Sequence, residues 1–135
     1  LLCLPNRNCP TAAAMTTPLG RIVIYTKKTA QMAEFYTKHF GFSISRAKGD
    51  RILELKPQAA GVSILLHPAS VRQKEGQALV KLVFDVEDVV AFCEAARGKG
   101  LKFGKIHQAD GYVFANAKDP AGNSVQVSSR AFVQR

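Results

Sequence analysis

The chain repeats itself, and the repeat limits its fold more than any other feature. Arg21 and Lys81 begin two runs suited to strands, RIVIYT (21–26) and VKLVFDV (80–86), sixty positions apart. Glu34 and Glu94 keep that offset in the stretches that follow, and Gly61 and Gly122 lead into the last strands at an offset of sixty-one. In the first half, Thr29 can cap a helix whose apolar residues Met32, Phe35, Tyr36 and Phe40 recur at helical spacing, with Gly41 to stop it. FSISRA, RILEL behind Gly49-Asp50, and GVSILLH behind Pro57 and Gly61 then read as three strands. The second half follows the same plan. Asp88 is placed to cap a helix with Val89, Phe92, Cys93 and Ala96 on one stripe, which Gly98 and Gly100 end. LKFGKI, YVFANA and NSVQVSS follow as strands, with Asp110-Gly111 and Asp119-Pro120-Ala121-Gly122 as turns, the second suited to type I. Each half is a βαβββ unit too small to bury its own sheet, so the two are expected to pack into one sheet system.

Strict alternation assigns the two faces of these strands. Ile22, Ile24, Val62, Ile64, Leu66, Leu82, Phe84, Val86, Val125 and Val127 make one face almost wholly apolar, which belongs under the helices. The other face carries Arg21, Val23 and Tyr25, then Ser63, Leu65 and His67, then Lys81, Val83 and Asp85, then Ser124, Gln126 and Ser128. A few polar groups among apolar ones is the lining a ligand cavity needs. A solvated sheet face would carry a similar pattern.

Composition narrows the classes of function. The 135 residues are 47% hydrophobic and 21% charged, as in a globular chain of about one domain. No apolar run approaches the roughly 20 residues a membrane-spanning helix needs, so no membrane partner is expected. The net charge of +9 and pI near 9.8 raise nucleic acid as a partner. The basic residues are scattered singly or in pairs, without a basic helix face or an aromatic RNA-binding signature, and this argues against it. Of the three cysteines, Cys93 reads as a small buried hydrophobe, and Cys3 and Cys9 could pair with each other but make no disulfide framework. Residues 1–18, with a plausible start at Met15, are expected to be an N-terminal extension outside a domain of residues 19–135. A cytoplasmic location is the default, and a cleaved secretory signal lacking its beginning is the weaker alternative.

AEFYTKHFGF (33–42) and KDPAGNSVQV (118–127) resemble the "FY-x-x-x-x-GF" and "DP-x-GN" signatures of the vicinal oxygen chelate superfamily, which includes glyoxalase I, bleomycin-resistance proteins and extradiol dioxygenases. The resemblance covers residues 20–129. It implies an α+β fold of two tandem βαβββ units, about 20–68 and 79–129, forming a curved mixed sheet around a cavity with helices on the outer face. It also implies a homodimer. Metal-dependent members hold a divalent ion with side chains from the first and last strands of each unit, and the matching positions here are Arg21, Leu65, Lys81 and Gln126. Arg and protonated Lys only donate, Leu offers nothing, and one neutral amide makes no site. No cofactor is therefore expected. His67 and Gln126 remain as weak metal candidates.

A cavity entered by Arg21 and Lys81 would favour an anionic ligand, with Tyr25, Ser124, Ser128 and Gln126 to orient it, unless Asp85 or Glu54 neutralises the two cations. The first functional reading is a metal-independent protein that binds a small molecule without chemistry, in the manner of bleomycin-resistance proteins. Those bind a cationic drug, and the basic balance here departs from that. The alternative is a glyoxalase-like lyase or isomerase, with an unrecognised ligand set or with Lys81 or Tyr25 as acid or base. A third reading is a vestigial cavity on a subunit that works by association.

Overall fold

The structure is a computed structural model and describes residues 18–133. Cys3, Cys9, Met15 and the rest of the expected extension up to residue 17 lie outside the described residues. The order is β1 (Arg21–Thr26), α1 (Thr29–Phe40), β2 (Ser43–Ser45), β3 (Leu53–Lys56), β4 (Ser63–Pro68), then β5 (Lys81–Asp85), α2 (Val89–Gly98), β6 (His107–Gln108), β7 (Val113–Lys118) and β8 (Ser124–Ser128). Each unit forms a four-stranded mixed sheet, in the orders β1-β4-β3-β2 and β5-β8-β7-β6. The first strand of each pairs in parallel with the last, and the other pairs are antiparallel. The duplication read from the sixty-residue offset is therefore a duplication of topology. The eight strands hydrogen-bond as two sheets, with β1 and β5 each at an edge.

The local chemistry explains most element boundaries. Gly41 ends α1 in the left-handed conformation (φ +76°), its N–H bonded to the Thr37 carbonyl at 3.2 Å. Asp88 caps α2 by accepting from the Ala91 N–H at 3.0 Å. Two expectations fail. Thr29 is the first residue of α1 and not its cap; Lys28 holds that place with no side-chain capping bond, and Thr26 Oγ1 accepts the Lys28 N–H at 3.0 Å instead. LKFGKI is not a strand. Leu101 and Phe103 are drawn into the core, and Gly104 makes one bond, to the Asn116 carbonyl at 2.8 Å, so pairing is confined to His107–Gln108.

The apolar face is buried as alternation requires: Ile64, Leu66, Val125 and Val127 are buried, and Ile24, Leu82, Phe84 and Val86 pack against them. The core joins the two units. Phe40 of α1 stacks on Phe84 of β5 (3.9 Å between centroids) and lies 5.8 Å from Phe92 of α2, so neither unit completes its core alone. Cys93 is half-buried beside this cluster, where burial pushes its thiol pKa up. His39 in the last turn of α1 does not supply the cation that a helix C-terminus favours. Burial first, then Lys38 and Lys99, hold its pKa below the ordinary 6.5, so the ring is neutral at pH 7.

The two sequence signatures are the two ends of one buried hydrogen bond. Tyr36, fully buried in α1, donates its hydroxyl to Asp119 Oδ2 at 2.8 Å. Asp119 Oδ1 accepts the N–H groups of Ala121 (3.0 Å) and Asn123 (2.9 Å), and the Asn123 side chain donates to Oδ2 at 3.0 Å. The Gly122 N–H returns to the Asp119 carbonyl at 2.9 Å, closing the expected turn. Burial above all, and then the Asp119 charge, raise the Tyr36 pKa far above its usual value, so this hydroxyl stays a donor. The linker between the units crosses the same turn. A Cβ on Gly76 (φ +73°) would lie 2.9 Å from the Ala121 carbonyl oxygen.

Candidate functional site

The open faces of the two sheets carry the residues that alternation assigned to them. On the first sheet, Arg21 is opposite Ser63, Val23 opposite Leu65 and Tyr25 opposite His67, with Glu54 of β3 opposite Leu65. Arg21 leans across to Glu54 at 3.7 Å, and its side chain is 63% exposed. An ion pair this exposed contributes about 0–1 kcal/mol, yet it neutralises the charge that Arg21 would bring to a ligand. The rings of Tyr25 and His67 lie 4.9 Å apart. His67 Nδ1 donates to its neighbour's carbonyl, that of Pro68, at 2.9 Å, since a carbonyl can only accept.

The second sheet is organised differently. Lys81 is opposite Ser124 and Val83 opposite Gln126, and β7 places Asn116 opposite Gln126 and Lys118 opposite Ser124. Lys81 Nζ and Gln126 Nε2 both donate to Asn116 Oδ1, at 3.0 and 2.9 Å. Lys118 Nζ donates to Ser124 Oγ at 2.9 Å. Three of the six expected ligand-binding residues, Lys81, Ser124 and Gln126, thus share one face, while Arg21 and Tyr25 lie on the other sheet; Ser128 is buried, its hydroxyl accepting the Arg130 N–H at 3.1 Å, and is not open to a ligand. Tyr25 and Ser124 meet only as walls of a cavity of about 310 Å³ at the junction of the units, which Val23, Leu82, Glu75 and Gly76 also line. Lys81, Val83 and Asp85 border a separate cleft of about 530 Å³ beside Phe40 and Phe42. The hydrogen-bonded face defines the candidate site better than either opening, because its donors and acceptor are held in mutual register.

Asn116 and Lys118 belong to this network, although neither family signature marks them. Their signal is alternation along β7, where Phe114, Asn116 and Lys118 share the face opposite buried Ala115. The residues at the superfamily's metal positions do not fit a divalent ion. Two are cationic donors, one is Leu65, and the amide nitrogen of Gln126 is already turned to Asn116. His67 and Gln126 stand on different sheets. Among the described residues no three His, Cys, Asp or Glu side chains gather as a ligand set, and no helix is long and apolar enough to cross a membrane.

Tandem βαβββ units with helices on one side of each sheet and polar groups on the other define the vicinal oxygen chelate class. The sequence matches the Glyoxalase/Bleomycin resistance protein/Dioxygenase superfamily over residues 19–127, and the chain belongs to that family. No curated protein sequence matches it. Among solved structures it is similar to TnmS3, an antibiotic binding protein from Streptomyces sp. CB03234, with TM-score 0.69 and 19% identity over 83% of this chain and 94% of that one. It is also similar to lactoylglutathione lyase from Agrobacterium tumefaciens (TM-score 0.64, 18% identity, 84% and 93%). A superfamily member from Sphaerobacter thermophilus DSM 20745 matches with TM-score 0.69 and 17% identity over 84% and 97%. At such identities the likeness is one of fold.

Proposed function

We propose that this chain is a metal-independent member of the superfamily that binds a small anionic molecule on its open strand faces. The observation that carries the reading is the shared acceptor: at two positions where metal-dependent relatives place ligands, Lys81 and Gln126 both donate to Asn116 Oδ1. A face that presents donors with a positive charge attracts anions and repels a divalent cation. TnmS3, an antibiotic binding protein of the same fold, is a precedent for a binding function. The comparison with the Agrobacterium lyase sets the test. Assayed for lactoylglutathione lyase activity with Ni, Zn, Mn or Fe added in turn, the protein should show no turnover above the uncatalysed rate. Ion-dependent turnover that disappears in Gln126→Ala would overturn the proposal.

The same reading includes a homodimer. β1 and β5 each leave one edge without a partner strand among the described residues, and Val23, Tyr25 and Val83 beside those edges are about half exposed. Sedimentation equilibrium should give twice the chain mass, 14.7 kDa each, at micromolar concentration; a monomer there would remove the dimer from the account.

A further inference from the structure

Lys118 lies outside every position the superfamily signatures mark, and its placement bears on what the ligand presents. Lys81, Ser124 and Lys118 occupy one rung across β5, β8 and β7. Adjacent strands are about 4.8 Å apart, so the two lysines leave the sheet roughly 10 Å from each other with the Ser124 hydroxyl between them. Each ammonium has three donor protons, and each has one neutral oxygen as partner: Asn116 Oδ1 for Lys81 and Ser124 Oγ for Lys118.

Among the described residues no carboxylate forms an ion pair with either lysine. The ion pair among the described residues is Arg21–Glu54, on the other sheet. Asp85 shares the open face of β5 but lies four residues from Lys81, about 13 Å along the strand. Asp119 follows Lys118 in sequence, yet it is buried and committed to Tyr36, Ala121 and Asn123. The arrangement therefore differs from Arg21, whose charge is met by Glu54. Two like charges flanking a hydroxyl, with donor protons to spare, form half of a coordination shell for an anion.

We infer that this rung is an anion site, in which a carboxylate or phosphate group of the ligand bridges Lys81 and Lys118 and accepts a further bond from Ser124. The inference rests on the binding function proposed above and deepens it, putting Lys118 where Arg21 was expected as the second cation. A solvated pair of surface lysines is the competing explanation, and it predicts no saturable binding.

The test uses the whole chain, with inorganic phosphate and malonate as probes at ionic strength held constant with sodium chloride. Melting temperature and backbone amide resonances are followed. At least one probe should raise the melting temperature saturably and shift the resonances of Ser124 and Lys118. Lys81→Met and Lys118→Met should each weaken the apparent affinity about ten-fold, the worth of one charge-assisted contact, and Lys118→Arg should restore most of it. Lys48→Met removes the same charge from an exposed turn and should change nothing. Preference for one probe assigns the site to phosphates or to carboxylates. Equal losses in Lys48→Met and Lys118→Met, an undiminished response in Lys118→Met, or saturable binding of neither probe would overturn the inference. Ion-dependent lyase activity alongside intact anion binding would instead overturn the metal-independent reading alone.

Discussion

Asp119→Ala should lower the stability of the fold by about 3–5 kcal/mol, because it strips four hydrogen bonds from groups that mostly have no water to replace them. The Tyr36 hydroxyl, in a fully buried side chain, loses its acceptor, as do the N–H groups of Ala121 and Asn123 and the Asn123 amide. Each unsatisfied buried group costs about 1–3 kcal/mol, and the losses are less than additive because the turn relaxes as a unit. Asp119→Asn keeps one oxygen for the backbone donors and should lose about half as much. Urea unfolding checks both through the midpoint at an unchanged slope. A loss below about 1 kcal/mol for Asp119→Ala would mean that the bond between the signatures is not what joins α1 to the last turn.

Gly76→Ala should cost about 2–3 kcal/mol, through two causes that a control separates. Its φ of +73° strains any L-residue by about 1–2 kcal/mol. Its Cβ would also press on the Ala121 carbonyl oxygen at 2.9 Å and approach Gly122. Gly49 has a similar φ, +79°, with nothing within 4 Å, so Gly49→Ala should show the conformational cost alone. The difference between the two measures how tightly the linker is seated on the DPAGN turn. Equal losses would show that the linker is free to move aside.

Much of the fold was legible because the information is periodic. The sixty-residue offset implied two equal topologies, and alternation from Ile64 to Leu66 and from Val125 to Val127 implied the buried face, since a strand that covers a core has no other register. Elements defined by tertiary competition were less legible. LKFGKI carries a strand-like composition, but Leu101 and Phe103 are taken by the core before the segment can pair. Thr29 has the residue type of a cap, while the Thr26 hydroxyl reaches the Lys28 N–H first. At the site, Lys81, Ser124 and Gln126 were found from one strand pair. Asn116 and Lys118 were not, because they come from a third strand whose register depends on the Asp119 turn. The engagement of Arg21 with Glu54 was one of the alternatives the sequence left open, and the side-chain direction that decides it is specified by no pattern in the chain.

The central claim is that the superfamily's metal positions here serve a different purpose. It is tested most directly by counting metal in protein purified without chelator, by elemental analysis before and after incubation with Ni, Zn, Mn and Fe and removal of the excess. Donors such as Lys81 and an amide turned to Asn116 should retain well under one equivalent of every ion. One equivalent of a divalent ion retained per chain, and lost in Gln126→Ala or His67→Ala, would contradict the account.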